Sequence, residues 1–177
     1  AFLFSRGFIK TGLGKRIAYN LISAFGSSSL RLAYALALSD LILAPATPSN
    51  TARVGGVIMP ITTSLAKAFG SEPQDGPRKI GSFLMQSIYQ VNTITSAMFQ
   101  TSMAGNTLVA ALALQSFGIG ITWGDWAMAA IVPGIIALLI MPYFIYKVYP
   151  PEIKDAREAQ QMIREELKGL GKMSFQE

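Results

Sequence analysis

From residue 80 to residue 124 the chain carries no Asp, Glu, Lys or Arg, and after a solitary Asp125 the same is true from 126 to 146. Runs of that length without charge belong in hydrocarbon, where a spanning helix takes about 20 apolar residues and the backbone must satisfy its own hydrogen bonds. With 51% hydrophobic and 14% charged residues, the chain is too apolar for an ordinary soluble domain and reads as an all-α integral membrane protein in a lipid bilayer. The charges crowd into the N-terminal segment, residues 72–79 and the tail beyond Tyr146, which puts those regions in water. The net charge of +5 does not point to a nucleic-acid partner, because the basic residues stand at the ends of apolar segments, where the positive-inside rule puts them. With neither Cys nor His there is no thiol nucleophile, disulfide or imidazole chemistry, and no enzyme is expected.

The stretch Ala44-Pro45-Ala46-Thr47-Pro48-Ser49-Asn50-Thr51-Ala52-Arg53 separates two apolar segments, residues 30–43 and 54–69, each shorter than a span. Pro45 and Pro48 remove backbone donors and push their predecessors toward extended geometry, so the first helix ends there. Ser49, Asn50 and Thr51 begin a second helix, since Ser or Asn at an N-cap accepts from the first free amides. Those amides and the positive end of the helix dipole can face an anion. A broken helix at membrane depth survives where protein or a cavity lines it, which is how transporters build substrate sites.

Lys15 and Arg16 precede this pair and Arg78 and Lys79 follow it, so both flanks are cytoplasmic by charge. Residues 30–69 therefore read as a re-entrant helical hairpin with its tip at 49–51. Before it, residues 1–29 read as the end of a spanning helix and an interfacial arm, with Ile17, Leu21, Ile22 and Phe25 on one face. After it comes a polar cytoplasmic turn, 70–79. Residues 80–117 exceed one span and are polar at the centre, which predicts a discontinuous transmembrane helix that unwinds or lines a cavity near 92–96 and resumes after Asn106. Residues 118–125 read as a far-side loop. Residues 126–146 read as a full-length span belted by Trp123, Trp126, Tyr143, Tyr146 and Tyr149, with kink points at Pro133 and Pro142. Residues 147–177 return to the basic side as a cytoplasmic amphipathic arm, with Met162, Ile163 and Leu167 along one face. The chain opens at Ala1 within an apolar run and without an initiator Met, so a longer protein is expected.

Ser49, Asn50 and Thr51 are the leading candidates to bind substrate, against the plain alternative of a helix cap. Thr95 and Ser96 lie in the polar centre of 80–117 and join them, against the alternative of hydrogen bonding between helices. Arg53 and Asp40 are charges at membrane depth, expensive unless paired or functional. Arg53 opposes the positive end of its own helix, so it demands an anionic partner. Asp40 reads as a neutraliser of Arg53 or Arg31, and a bound anion is the other partner for Arg53.

These residues resemble the signature of the divalent anion:sodium symporter family, and most of all its exchanger branch of citrate:succinate antiporters and plastid 2-oxoglutarate/malate translocators. The matching strings are the stretch from Ala44 through Arg53, extended by Val54-Gly55-Gly56, with Gly7-Phe8-Ile9-Lys10-Thr11-Gly12-Leu13-Gly14 and Tyr149-Pro150-Pro151-Glu152-Ile153-Lys154. The resemblance spans nearly the whole chain and the central part of a typical family member. It implies an elevator-type transporter built from an inverted repeat, with 30–69 as the inward-side hairpin and the amphipathic segments as arms between transport and scaffold domains. It implies that Asn50 and Thr51 contact a substrate carboxylate, and that Ser49 and Asn50 help to form a sodium site. A second copy of the motif completes the site in the family, so this chain would hold half. Arg53 stands where sodium-coupled members have an uncharged residue, and Thr95-Ser96 where they have a glycine pair. The implied function is exchange of di- or tricarboxylates such as 2-oxoglutarate, malate, succinate or citrate. Sodium-coupled symport is the second reading and a structural or channel-forming helical module the third. A homodimer in a bacterial inner membrane, or alternatively a plastid envelope, is also implied.

Overall fold

The structure, a computed structural model, describes residues 12–170. Expectations for residues 1–11 and 171–177 fall outside the described residues. Helix α1 is Leu13–Phe25, and α2 is Ser29–Leu43, continued by a 3-10 turn at Ala44–Ala46. Helix α3, Asn50–Arg53, runs through a π-helical stretch, Val54–Ile58, into α4, Met59–Ala68. Helices α5 (Gly81–Met98), α6 (Ala104–Phe117), α7 (Trp123–Val148) and α8 (Arg157–Gly169) follow. Among the described residues there is no strand, only an isolated bridge between Ser28 and Asp155. Two helical segments among them are long and apolar enough to cross a membrane: Ser29–Ala46, at 18 residues, and Trp123–Val148, at 26. The turn at Ala44–Ala46 gives the first segment this length, so it is less short than residues 30–43 alone suggested.

The hairpin forms as its prolines and caps dictate. Thr47 N–H reaches back to the Leu43 carbonyl at 3.0 Å, after which Thr47 and Ser49 are extended. Ser49 Oγ then accepts from Ala52 N–H at 3.3 Å and starts the second arm. Leu32, Leu36 and Leu43 of the first arm and Ile58 and Leu65 of the second are almost wholly buried, in one core with Ile22, Ile80, Phe83, Leu84 and Ile163. Burying such a side chain is worth about 1.5–3 kcal/mol, so this core fixes the two arms against α5.

One end of the bundle is tied by backbone hydrogen bonds. Ser29 N–H donates to the Lys154 carbonyl at 3.0 Å, Ala156 N–H to Ser27 at 3.2 Å, Glu152 N–H to Arg78 at 3.1 Å and Ile153 N–H to Lys79 at 2.9 Å. The start of α2, the turn after α4 and the exit from α7 therefore share one end. That extended pairing also delays α8 to Arg157. Helix α7 runs antiparallel to α5: Phe83 and Tyr146 meet edge to face with centroids 5.7 Å apart at the tied end, and Trp126 Nε1 donates to the Ala97 carbonyl at 2.9 Å at the other. Its opposite face exposes Ile131, Val132, Ile136, Leu139 and Ile140, an apolar surface suited to hydrocarbon.

Helix α1 docks closely on the hairpin, since a Cβ at Gly14 would lie 3.1 Å from Val57 Cγ2. On its apolar face Ile22 is buried and Phe25 is 56% exposed. Helix α8 packs on α1, with Tyr19 Oη donating to Glu166 Oε2 at 2.5 Å and Gln160 Nε2 to the Ser23 carbonyl at 2.8 Å. Burial, reinforced by the Glu166 carboxylate, pushes the Tyr19 hydroxyl far above its ordinary value and keeps it a donor.

Two boundaries differ from expectation. Helix α5 continues unbroken through 92–96 and ends at Met98; the break occupies 99–103, and Asn106 lies inside α6. Thr93 Oγ1 folds back onto the Tyr89 carbonyl at 3.1 Å, so that hydroxyl is satisfied without opening the helix. Helix α7 starts at Trp123 because Thr122 and Asp125 form a reciprocal capping box, Asp125 N–H to Thr122 Oγ1 at 3.2 Å and Thr122 N–H to Asp125 Oδ2 at 3.0 Å.

Candidate functional site

Two interruptions face each other: the hairpin tip, 44–53, and the break between α5 and α6, 99–103. Thr101 Oγ1 donates to the Pro45 carbonyl at 3.0 Å, and Asn50 Nδ2 approaches Met103 Sδ at 4.0 Å. At the break, Asn106 Nδ2 donates to the Ser96 and Phe99 carbonyls at 2.7 and 2.8 Å. Ser102 Oγ lies 2.7 Å from the Ser96 carbonyl and 2.8 Å from that of Phe99. These buried side chains satisfy carbonyls that the end of α5 leaves free.

Arg53 turns inward and is 1% exposed. Its Nε donates to Asp40 Oδ1 at 2.8 Å, and one terminal nitrogen donates to the hydroxyls of Thr95 and Ser96 at 3.2 and 3.1 Å. The other reaches the Thr47 carbonyl at 3.5 Å. Asp40, equally buried, also accepts from Thr95 Oγ1, with Asn92 Nδ2 at 3.5 Å. Because guanidinium only donates and carboxylate only accepts, the Thr95 hydroxyl accepts from Arg53 and donates its own hydrogen bond to Asp40. A lone charge here would cost several kcal/mol; paired and hydrogen-bonded, the guanidinium cross-links α2, α3 and α5. The anionic partner that the helix dipole demanded is Asp40, while Arg31 donates to Ser27 Oγ at 3.1 Å.

The expected residues thus gather in two layers. Ser49, Asn50 and Thr51 form the accessible tip: Ser49 and Asn50 are half-buried and Thr51 is exposed, with Asn50 Oδ1 accepting from Thr51 N–H at 2.9 Å. Arg53, Thr95 and Ser96 lie beneath, bonded to one another and to Asp40. Thr93, from the same polar cluster, is exposed on another part of α5. Helix α6 begins beside the tip at Met103, which supplies no side-chain cap. Two helix N-termini, each with partial positive charge, therefore meet where Asn50 stands.

A sodium ion has no room between Arg53 and α5, whereas Ser49 and Asn50, expected to help to form a sodium site, stand apart at the accessible tip. The Ser96 and Phe99 carbonyls already accept from Asn106 and Ser102, and a guanidinium occupies the place between Thr47 and Thr95-Ser96.

The described residues form an all-helical bundle in which two helix interruptions face each other, an arrangement that secondary transporters use. The chain belongs to the sodium:sulfate symporter transmembrane-region family, whose model matches residues 1–177. It is 56% identical over 172 residues to the putative malate transporter YflS of Bacillus subtilis, covering 97% of this chain and 36% of that protein. It is 49% identical over 178 residues to the chloroplastic dicarboxylate transporter 1 of Spinacia oleracea, covering 100% of this chain and 31% of that protein. It is 39% identical over 178 residues to the L-tartrate/succinate antiporter of Escherichia coli, covering 100% of this chain and 37% of that protein. The chain therefore spans about a third of the length of these relatives, and it is integral to the membrane.

Proposed function

We propose that the protein to which this chain contributes exchanges small dicarboxylates or tricarboxylates across a membrane by alternating access. Ser49, Asn50 and Thr51 supply one half of the substrate site. The observation that carries the reading is the polar tip held against the uncapped start of α6, where two positive helix ends favour a carboxylate. The relatives named for malate, dicarboxylate and tartrate/succinate transport support the substrate class, and the antiporter supports exchange.

Arg53, Thr95 and Ser96 border the same site as its under-layer. Arg53 bridges the hairpin to α5 as a permanent cation, which makes a bridging sodium ion unnecessary. Because Asp40 neutralises it, the obligatory nature of exchange comes from the substrate completing the tip and not from an unpaired guanidinium. Residues 30–69 are re-entrant, supported by the gathering of both hairpin ends beside the exit of α7. Helices α1 and α8 serve as the arms between a moving and a fixed domain of a homodimeric elevator, in a bacterial inner membrane.

Binding is tested by thermal unfolding of the purified full-length protein with and without malate in sodium-free buffer. Malate at a hundred times its dissociation constant stabilises the folded state by about 2.7 kcal/mol. A shift cut to about half or less in Asn50→Ala at the same malate concentration supports the tip as the site; a full shift in that variant overturns it.

A further inference from the structure

The outward side of the α5–α6 break is held by the start of α7. Phe99 and Trp123 stack with ring centroids 5.9 Å apart and an interplanar angle of 18°. Gln100 Nε2 donates to the Ile121 carbonyl at 3.3 Å, and Trp126 Nε1 to that of Ala97 at 2.9 Å. Trp123 Nε1 donates to Thr101 Oγ1 at 3.1 Å, and Thr101 Oγ1 lies 3.0 Å from the Pro45 carbonyl.

This chain of bonds has only one direction. An indole N–H cannot accept and a carbonyl cannot donate, so the single Thr101 proton goes to Pro45. The Pro45 carbonyl is available because the residue three positions on, which would close the 3-10 bond, is Pro48 and has no N–H. Proline chemistry at the tip thus creates an acceptor, and a threonine in the facing break supplies the donor.

We propose that Thr101 is a positioning residue for the substrate site, its hydroxyl linking Trp123 to the Pro45 carbonyl and so fixing the tip at Ser49-Asn50-Thr51 against the start of α6. Thr101 does not itself contact substrate; it sets the separation of the two helix ends that do. Trp123, at an end of α7 where an aromatic residue also suits the membrane interface, orients that hydroxyl and leaves its proton for Pro45. The inference rests on the transport reading for its effect on affinity, and on the hydrogen bonds alone for its effect on the tip.

The test uses the full-length carrier in two measurements on Thr101→Val, Thr101→Ser and Trp123→Phe. In proteoliposomes, exchange of labelled malate for internal succinate should show KM raised about three- to tenfold in Thr101→Val with maximal rate little changed. Thr101→Ser should restore KM, and Trp123→Phe, which keeps the stack, should add nothing in the Thr101→Val background. In detergent, hydrogen exchange at the amides of residues 49–53 should accelerate in Thr101→Val and return to the wild-type rate in Thr101→Ser. Unchanged hydrogen exchange in Thr101→Val, or no recovery in Thr101→Ser, overturns the link. A wild-type protein that exchanges no dicarboxylate overturns the transport reading instead, while hydrogen exchange still decides the link.

Discussion

Arg53 Nε and Asp40 Oδ1 stand 2.8 Å apart, with side-chain exposures of 0% and 2%, so each charge depends on the other for its place in the interior. Removing either partner strands the other. Arg53→Met and Asp40→Asn should each destabilise the full-length protein by about 3–5 kcal/mol, and the double variant should recover much of that loss. Thermal unfolding of the set measures it. Additive losses would mean that the two charges do not depend on each other.

Asn50→Ala and Thr51→Ala each remove a polar group from the accessible tip and leave the Arg53 layer intact. A lost charge-assisted bond is worth about 1.5–3 kcal/mol, so malate affinity should fall roughly ten- to a hundredfold. Titration calorimetry on the folded variants is the check. Unchanged affinity would leave these residues as helix caps.

The tip was legible because proline, N-cap and charge signals coincide within ten positions, each with a local cause. Arg53 was legible as a misfit: a cation at the wrong end of its helix announces a partner, and Asp40 was among the few available. The position of the break in 80–117 was not. Thr and Ser hydroxyls can bond back within a helix, so the polarity of 92–96 looks the same whether the helix opens or continues. What decides it is the reach of Ser102 and Asn106 to carbonyls of Ser96 and Phe99, a tertiary fact. Trp123 and Trp126 read as interfacial residues, and nothing local reveals that their indoles bond to Thr101 and Ala97.

The Tyr19 bond to Glu166 gives the α1–α8 contact an alkaline limit. Burial first, and the Glu166 carboxylate second, raise the hydroxyl above its ordinary value. A folded value above the unfolded one means that this contribution is complete below about pH 10 and is lost as pH rises beyond it. Protection factors along α8, with the base-catalysed intrinsic rate divided out, should therefore hold steady from neutral pH to about pH 9 and fall above about pH 10. Tyr19→Phe should abolish that step. Protection that begins to fall near neutral pH would contradict the assignment.

The proposed re-entry of residues 30–69 predicts which surfaces share a side. The chain has no native Cys, and Phe25, Glu72 and Ile119 are exposed. In the full-length protein, cysteines at Phe25 and Glu72 should react with an impermeant reagent from the cytoplasmic side only. A cysteine at Ile119 should react from the opposite side. Labelling of Phe25→Cys and Glu72→Cys from opposite sides would make the hairpin a pair of spans.

Exchange without sodium is tested most directly by labelled malate uptake into proteoliposomes of the full-length protein, with internal succinate and external sodium varied separately. A carrier whose tip is tied to α5 by Arg53 and Asp40 should take up malate when succinate is inside, to the same extent with and without sodium, and take up little when the vesicles are empty. Uptake into empty vesicles driven by a sodium gradient would contradict it.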